Sequence, residues 1–406
     1  MADAEPNPGV LAGLRILEVG HYVAAPFCTR LLGDLGAEII KVEPPGGDPV
    51  RKWGEQVDGH SLWWSMHGRN KRSIVIDMKS ERGRDLIAAL ARKADALVEN
   101  LRPGQLDRLG LSAETLRAGN PRLVLARISG YGQTGPYRDR AAFGVIGEAI
   151  GGLRHLTNHA PGVTDLPPVR VGVSIGDSIA GLYAAFGVVA ALWARDRDER
   201  AHDVDVALSE SVLSMMEGML PEYGRLGKIK APTGGAIATA APSNAYPSAD
   251  GGWVLIAANS DPLFARLCDL MGRPSLARDE RFQDNPGRVR HAAELDAMIA
   301  AWTTVQDSAD MIAALEAADI PNSKIYTAED CAADEQYLFR DMVREVRDPL
   351  IGTVLQSGIV PYVPTAPGTV RWTGQPAGAQ TDDILRGILG LGPEDIASLR
   401  DDKVVQ

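Results

Sequence analysis

One side chain in the sequence has surroundings that suit nucleophilic chemistry, the carboxylate of Asp177. It follows Gly176, with Gly181 four residues later, at the start of the most apolar helical stretch of the chain. Asp is a good helix cap, and a cap alone explains its place before a helix. A cap does not need small residues on both sides, whereas a carboxylate that a bulky group must approach does. The amides and dipole of a helix N-terminus also favour an anion. We interpret Asp177 as a reactive carboxylate, with a plain helix cap as the alternative.

A glycine-rich stretch at 130–135 matches the G-x-G-x-x-G pattern and follows an apolar run. A dinucleotide site needs these glycines to open a helix, with an acidic residue at a strand end about 20 residues further on. Here Pro136 and a charged stretch without apolar periodicity come next, and no such acidic residue follows. The pattern therefore indicates a tight loop over 129–136, in which the backbone closely approaches another group or a ligand. It disfavours a nicotinamide site.

Other motifs for catalysis and metal binding are absent from the sequence. It contains no P-loop for binding nucleotide phosphates (GxxxxGK[ST]) and no zinc-binding HExxH motif. His155 and His159 have i, i+4 spacing, but the Thr, Asn, Pro and Gly around them indicate a loop, so we expect no metal site. The three cysteines (Cys28, Cys268, Cys331) are far apart, so neither a disulfide framework nor a zinc site is expected, and a reducing compartment fits.

The elements that must position these groups alternate between strand and helix in the first half of the chain. Alternation of this kind predicts a parallel α/β sheet covered on both faces. A Gly-, Ala-, Pro- and Ser-rich stretch at 224–251 then breaks the pattern, and a second unit begins with a strand at 252–258. Strands are predicted at 14–19, 39–42, 73–77, 96–98, 123–128 and 203–206, and helices at 26–35, 80–93, 143–152, 177–194, 208–220, 261–271, 290–303, 308–318, 382–389 and 394–399.

Composition limits the possible classes of protein. The chain has 406 residues, 45% of them hydrophobic, which is enough for two domains with real cores. The net charge is 42 − 53 = −11, which argues against a nucleic-acid binder. The longest apolar stretch, 179–194, has 16 residues, where a membrane span needs about 20. No secretory signal is apparent, and we predict a cytoplasmic protein that contacts no membrane.

A local basic patch contrasts with the acidic total. Residues 69–84 hold six basic and two acidic side chains, a net charge of +4. Such a patch suits a small polyanionic ligand better than a nucleic-acid duplex. A solvated helix end accounts for the same residues and is the simpler interpretation from charge alone.

In combination, several long segments make the sequence resemble the family III CoA-transferases, the group of the formyl-CoA and carnitine CoA-transferases. The resemblance covers nearly the whole chain. The segments are 19–26 (VGHYVAAP), 35–48 (LGAEIIKVEPPGGD), 70–79 (NKRSIVIDMK), 98–104 (VENLRPG), 120–124 (NPRLV), 129–136 (SGYGQTGP) and 176–177 (GD).

This resemblance implies an acyl-CoA:carboxylate CoA-transferase in which Asp177 is the nucleophile. The aspartate would form a mixed anhydride with the acyl group and then an aspartyl-CoA thioester, from which CoA passes to an acceptor acid. The thioester bond energy is retained, so no ATP is needed, in keeping with the missing P-loop. Coenzyme A would be a substrate, with no tightly bound cofactor and no metal. The partners implied are acyl-CoA and small carboxylic acids.

The resemblance also implies which residues contact CoA, whose phosphates suit guanidinium and ammonium donors. Trp53 matches an aromatic residue of the acyl pocket, with a core tryptophan as the alternative. The pair Gly234 and Gly235 matches a glycine loop over the site. The CoA-contacting set is Val23, Ala24, Ile76, Asp77, Met78, Lys79, Asn100, Leu101, Arg102, Arg108, Arg140 and Phe143.

Three departures from the family pattern bear on the substrate. Ala141 stands where formyl-CoA transferases carry a basic residue, and only Arg138 and Arg140 are close. The glycine run of the loop is shortened to two residues, and Pro44 replaces an arginine found in some members. Together they disfavour oxalate and formate as substrates without affecting the reaction class.

Two alternatives remain open at this point. The 2-methylacyl-CoA racemases of the family pair an aspartate matching Asp177 with a histidine near 142–144, where this chain has none; His155 is about three turns further on. A non-catalytic CoA-binding subunit is the other alternative, because some members act with partner chains. Asp177 and its glycines argue against it.

The expected fold is α/β, with a Rossmann-like large domain built on a parallel sheet and a smaller α+β domain. The large domain would comprise 1–215 and 330–406, the small domain 225–325, and the linkers 216–224 and 326–329. The family resemblance further implies an interlaced homodimer, in which each chain passes through the ring of the other.

Overall fold

The structure, a computed structural model, describes residues 9–406. Its main feature is a six-stranded sheet in which every pair of neighbouring strands is parallel. The strands of the described chain are β1 (Arg15–Val19), β2 (Glu38–Glu43), β3 (Gln56–Val57), β4 (His60–Ser61), β5 (Lys71–Val75), β6 (Ala96–Glu99), β7 (Val124–Ser129), β8 (Asp203–Ala207), β9 (Ser243–Pro247), β10 (Trp253–Ala257), β11 (Asn322–Lys324), β12 (Val343–Asp348) and β13 (Gly352–Ser357).

Helices connect these strands, and short 3-10 turns lie at Pro49–Lys52 and Pro274–Arg278. The α-helices are α1 (Ala24–Asp34), α2 (Leu62–His67), α3 (Glu81–Ala91), α4 (Gln105–Arg108), α5 (Ala113–Gly119), α6 (Gly144–Ile150), α7 (Leu153–Leu156), α8 (Ile175–Asp198), α9 (Leu208–Leu213), α10 (Met219–Leu226), α11 (Asp261–Leu270), α12 (Asn285–Arg290), α13 (Ala292–Thr303), α14 (Ser308–Ala317), α15 (Ala328–Ala333), α16 (Glu335–Phe339), α17 (Thr381–Gly387) and α18 (Pro393–Asp401).

The order of the main sheet is β5-β2-β1-β6-β7-β8. Counting only these six strands along the chain, the order is 3-2-1-4-5-6, the doubly wound arrangement of Rossmann-like folds. The predicted Rossmann-like α/β fold is confirmed. In such sheets the direction of winding reverses between the first and fourth strands, here β1 and β6, and ligands bind at their carboxyl ends. The topology therefore points to the residues that follow Val19 and Glu99.

Alternation along the strands divides the core of this unit between the two faces of the sheet. Ile16 packs on one face with residues of α1 and α8, such as Cys28 and Val188. Leu17 packs on the other face with residues of α3, α17 and α18. The C-terminal tail thus packs in the second layer, and a β-bridge joins Val405 to Ile76.

Helix α8 is long and apolar enough, by length and composition, to cross a membrane. Its small residues Ala180, Ala184 and Val188 are fully buried in the core between the helix and the sheet. Gly181 allows close packing, because a Cβ there would lie 2.7 Å from the carbonyl oxygen of Ala24. One face of the helix thus belongs to the core, and the opposite face is exposed.

Two compact units make up the described chain. The first comprises the described residues up to Leu153 with Val171–Pro221 and Glu335–Gln406, and the second comprises Arg154–Arg170 and Glu222–Asp334. The sequence places 154–170 in the large domain, but in the structure this segment contacts the second unit: the Asn158 carbonyl accepts a hydrogen bond from the amide of Gly234. The predicted linkers are partly helical, because α10 and α15 enter them.

The second unit is α+β, as predicted. Strand β10 lies between β9 and β11, antiparallel to both. Its core brings Val254 and Ile256 of β10 together with side chains of α11, α13 and α14. The guanidinium of Arg288 is fully buried and donates to the carbonyls of Ala241 and Phe282 among others. These bonds satisfy a charge that burial would otherwise make costly.

Several predicted boundaries differ from the observed ones. β5 begins two residues earlier than the predicted strand at 73–77. The predicted helix at 208–220 is divided into α9 and α10, whereas that at 290–303 corresponds to α13, which begins two residues later. The Ser80 cap is confirmed, since its hydroxyl accepts from the amide of Gly83. Asp177 is not the cap of α8. Ser174 occupies that position and Asp177 is the third residue of the helix.

Candidate active site

The turn after β1 is held in an unusual conformation at the point where the sheet reverses its winding. Tyr22 has φ +63°, a left-handed conformation that bulky residues rarely adopt. The Asn100 side chain, from the end of β6, accepts from the His21 amide and donates to the His21 carbonyl, both at 2.8 Å. Gly20 has no room for a side chain, because a Cβ would lie 2.8 Å from Asn100 Oδ1. Asn100 therefore joins the two strand ends.

Asp48 holds the same turn from the other side. Its Oδ1 accepts from the amide of Tyr22 at 3.2 Å, and its Oδ2 lies 2.7 Å from Lys41 Nζ. The Nδ1 atom of His21 is 3.9 Å from Asp48 Oδ2. Burial lowers the pKa of His21, and the nearby Lys41 lowers it further, so the imidazole is neutral at pH 7.

A fully buried ion network lies beneath this turn. Glu18 pairs with Lys41 at 2.6 Å and with Lys71 at 2.8 Å, and all three side chains are at most 1% exposed. Burial alone would raise the pKa of Glu18, but the two ammonium groups lower it to about 2. Burial lowers the pKa of Lys71 to about 8. The ammonium of Lys41 also donates to the Gly20 carbonyl, so the network reaches the turn directly.

Asp177 lies in the first turn of α8, against the start of α6. A Cβ on Gly144 would lie 2.1 Å from Asp177 Oδ2, so a glycine at 144 makes room for the carboxylate. The sequence instead assigns this role to Gly176 and Gly181. Both serve close helix packing: a Cβ on Gly176 would lie 2.8 Å from the Gly144 carbonyl oxygen. The small residue expected next to Asp177 is therefore Gly144, which is distant from it in the sequence.

Asp177 and the β1–α1 turn line one cavity of about 190 Å³. The strand ends of β1, β6 and β7, the segment before α6 and the start of α8 all contribute to it. Its lining residues are His21, Tyr22, Ala24, Asn100, Leu101, Arg102, Pro103, Ile128, Ser129, Gly130, Arg140, Ala141, Ala142, Phe143, Asp177 and Leu208.

Seven of the residues singled out in the sequence come together here. They are Ala24, Asn100, Leu101, Arg102, Arg140, Phe143 and Asp177. Val23 lies between two lining residues, and the Trp53 ring packs at 4.9 Å against that of Tyr22, which does line the cavity. Trp53 is 40% exposed, so it is not the core tryptophan of the alternative interpretation.

The segment 76–79 lies after β5 and does not line the cavity. Ile76 is fully buried in the core, and Met78 packs against the same cluster. The amide of Asp77 donates to the Val404 carbonyl, and its Oδ1 accepts from the amide of Lys79. Of the four residues, Lys79 is the exposed one.

Arg108 also lies outside the cavity lining, but it is close to another arginine. Measured from the position that a Cβ on Gly104 would occupy, Arg138 Nη2 is at 3.2 Å, Arg108 Nη1 at 3.5 Å and Asp107 Oδ2 at 4.0 Å. Gly104 itself has φ +73° and follows Pro103 of the cavity wall. Two guanidinium groups therefore flank one edge of the candidate site.

Gly234 and Gly235 belong to the second compact unit. Gly234 has φ +67°, and its amide donates to the Asn158 carbonyl. A Cβ on Gly235 would lie 3.0 Å from Asn244 Oδ1. These contacts define a tight turn in that unit, and the role implied for the loop in substrate binding stays a prediction.

The loop 129–136 has the tight form that the sequence predicts. The Ser129 hydroxyl accepts from the amide of Gly132, which has φ +89°, and Asp205 accepts from the amide of Gln133. Ser129 and Gly130 line the cavity, so the backbone does approach the candidate site. No helix opens at these glycines; α6 begins at Gly144.

Among the site residues that escape the sequence patterns are His21, Tyr22 and Gly144. The two turn residues lie inside one of the family-like segments, and the rule that ligands bind where the winding reverses would have pointed to them once the strand order was known. Gly144 carries no such signal, because its importance depends on the packing of α6 against α8.

Comparison with known proteins identifies the family of the chain. Residues 11–381 match the family model described as CoA-transferase family III. The chain is 44% identical over 400 residues to succinyl-CoA–D-citramalate CoA-transferase of Chloroflexus aurantiacus, covering 98% of each chain. It is 35% identical to the beta subunit of succinyl-CoA–L-malate CoA-transferase of the same species, covering 97% of this chain and 98% of the relative.

A solved structure is similar as well. The crystal structure of a CAIB/BAIF family protein from Brucella suis superposes with a TM-score of 0.82 at 32% sequence identity, covering 94% of this chain and all of that one. The chain therefore belongs to family III of the CoA-transferases, and it is a CoA-transferase by class.

Proposed function

We propose that the chain moves CoA from an acyl-CoA donor to an acceptor carboxylic acid through covalent intermediates on Asp177. The observation that carries this proposal is the position of the Asp177 carboxylate in the cavity where the sheet reverses its winding. Ala24, Asn100 and Leu101, which the family resemblance assigns to CoA, line the same cavity. This shared lining supports a role for Asp177 as nucleophile beside bound CoA.

The reaction requires two exchanges of the same kind. The Asp177 carboxylate attacks the thioester carbonyl of the donor, the carbon–sulfur bond of the thioester breaks, and the products are a mixed anhydride on Asp177 and the CoA thiolate. The thiolate then attacks the aspartyl carbonyl, releasing the donor acid as a carboxylate and leaving an aspartyl-CoA thioester. The acceptor carboxylate repeats the two steps in reverse order. No net proton or ATP is consumed, and the aspartate is regenerated.

Basic side chains around the cavity offset the phosphate charges of CoA. Arg102 and Arg140 line the cavity, and Arg108 and Arg138 flank its edge at Gly104. Guanidinium groups form strong charge-assisted bonds with phosphate. Lys79 is exposed and free to reach the nucleotide end of CoA, as the resemblance implies. CoA acts as a substrate in this account, with no resident cofactor.

We infer that the donor is succinyl-CoA and that the acceptor is a small hydroxylated dicarboxylic acid. The relatives described above are named for succinyl-CoA with citramalate or malate. The departures at Ala141, Pro44 and the glycine loop support this choice over oxalate and formate. A relative named formyl-CoA:oxalate CoA-transferase is 32% identical, a smaller likeness than that to the citramalate enzyme.

The test of this function is a hydroxylamine trap. Incubation with succinyl-CoA and hydroxylamine should convert an aspartyl anhydride or thioester into a hydroxamate, which peptide mapping should locate at Asp177. Asp177→Asn should give no hydroxamate and should lose at least about 10⁴-fold in transfer rate, as expected for removal of a covalent nucleophile. A hydroxamate on another residue, or full activity of the variant, would contradict the proposal.

One observation supports an isomerase as a second candidate. The sequence offers no general base near Asp177, but in the structure the neutral imidazole of His21 lines the same cavity. Removal of an α-proton requires a general base, and a histidine beside an aspartate resembles the pair implied for the racemases of the family. Exchange of the α-proton of a 2-methylacyl-CoA in heavy water, without hydroxamate formation, would favour the isomerase.

We also propose a homodimer in the cytoplasm, whose subunits interlace as the family resemblance implies. The outer face of α8 exposes large apolar side chains at 4-3-4 spacing: Leu182, Phe186, Val189 and Trp193. An apolar stripe of this kind is typical of an interface. A transfer activity that appears only with a second, different chain would instead favour the non-catalytic subunit of the alternatives.

A further inference from the structure

Tyr22 is held in a costly backbone conformation. A left-handed backbone at a residue with a bulky side chain is strained and persists only where surrounding contacts enforce it. Here Asp48 accepts from its amide, and Asn100 holds the preceding residue, His21, by two hydrogen bonds to its backbone. Three hydrogen bonds from two other segments thus fix the backbone of this turn.

The consequence of this conformation is the placement of the Tyr22 ring. It packs against the Trp53 ring with centroids 4.9 Å apart and the planes tilted by 42°, and it makes an edge contact with the Phe143 ring at 6.3 Å. Phe143 directly precedes Gly144, against which the Asp177 carboxylate lies. Tyr22, Phe143 and Asp177 line the same cavity.

The hydroxyl of Tyr22 is a polar group on a residue that lines the cavity. Across residues 9–406, no side chain or backbone group forms a hydrogen bond with it, although the residue is only partly exposed. The ring that carries it packs against the rings of Trp53 and Phe143. A donor on the cavity wall favours a substrate that carries an acceptor at that point, because a bound substrate without one would desolvate the hydroxyl and leave it unmatched.

We propose that the Tyr22 hydroxyl donates a hydrogen bond to the distal carboxylate of a dicarboxylic acyl group and thereby selects such donors over monocarboxylic ones of equal length. This inference rests on the proposed CoA transfer through Asp177. An ionised carboxylate is the strongest acceptor available to a phenol, and a hydrogen bond to a charged group contributes more than one between neutral groups.

The experiment compares two donors on two variants. Rates with succinyl-CoA and with butyryl-CoA, whose terminal methyl replaces the carboxylate, would be measured for the wild type, Tyr22→Phe and Trp53→Phe. Tyr22→Phe keeps the ring and removes only the hydroxyl. We expect the ratio of kcat/KM for succinyl-CoA to that for butyryl-CoA to fall about 10- to 100-fold, mainly through the KM for succinyl-CoA.

The control separates recognition from packing. Trp53→Phe changes a ring packed against Tyr22 without touching the hydroxyl, so it should alter both donors by similar factors. An unchanged donor ratio in Tyr22→Phe, with the wild type still forming the Asp177 hydroxamate, would overturn the role of Tyr22 alone. A wild type that forms no hydroxamate with either donor would overturn the transfer mechanism, and this inference with it.

Discussion

Asp48 links the β1–α1 turn of the candidate site to the buried ion network beneath it. Its carboxylate is buried, faces Lys41 and His21, and accepts from the Tyr22 amide. Asp48→Ala would leave the Lys41 ammonium with a buried, partly uncompensated charge. We expect the free energy of unfolding to fall by about 3–5 kcal/mol, measured by urea titration.

The matched control for this prediction is an exposed ion pair in the same unit. Arg82 and Asp402 form such a pair, with both side chains about half exposed. Arg82→Gln should cost less than about 1 kcal/mol. Equal losses in the two variants would contradict the importance of the buried network.

Glu99, the last residue of β6, predicts a pH dependence of stability. Burial raises the pKa of this carboxyl to about 8, although the Leu101 amide donates to it. The folded state therefore holds a proton that the unfolded state releases near pH 4.5. Between pH 4.5 and 8 the free energy of unfolding should decrease with pH, by at most about 1.4 kcal/mol per unit.

Glu99→Gln tests this directly, because the amide keeps an acceptor for Leu101 and cannot ionise. Urea titrations at pH 5 and pH 8 should give the variant a smaller loss of stability than the wild type over this interval. A wild type that is equally stable at both values, or a variant with the same slope, would show that Glu99 does not stay protonated.

The packing of α6 against α8 positions the nucleophile. Gly144 lies where any side chain would meet the Asp177 carboxylate, and its backbone is outside the left-handed region, so alanine is conformationally acceptable there. We expect Gly144→Ala to fold normally but to displace the carboxylate and lower the kcat of CoA transfer by about 100-fold. Steady-state kinetics and thermal unfolding would measure the two effects.

Gly387→Ala is the control for Gly144→Ala. A Cβ at Gly387 in α17 would meet nothing within 4 Å, so Gly387→Ala should leave transfer unchanged. If Gly144→Ala kept full activity, the space at Gly144 would not serve the nucleophile.

The sequence predicts the elements of this fold better than the contacts between them. Alternating strands and helices, the Ser80 cap and the apolar α8 follow from local patterns. The division of the predicted helix at 208–220 does not, because tertiary packing overrides its continuous helical pattern. Likewise Asp177 and Asn100 are found through sequence segments, whereas Gly144 matters only through a helix contact and Tyr22 through a backbone conformation imposed by distant side chains.

For the whole molecule, the exposed face of α8 predicts self-association. Phe186 and Trp193 are 72% and 66% exposed on that face. Phe186→Asp should convert the proposed dimer into monomer in sedimentation velocity, because an ionised carboxylate at an apolar interface would be desolvated without a partner. Val305, 78% exposed in the second unit, offers Val305→Asp as a control that should stay dimeric. A monomeric wild type would contradict the proposal.

The central claim, a covalent bond between Asp177 and CoA, is tested most directly by intact mass. The purified chain would be mixed with succinyl-CoA in the absence of an acceptor, quenched in acid and weighed beside Asp177→Ala. The wild type should gain the mass of CoA less one water, the signature of an aspartyl-CoA thioester, and the variant should gain nothing. A wild type that stays unmodified with succinyl-CoA, or a variant that carries the same adduct, would contradict the account.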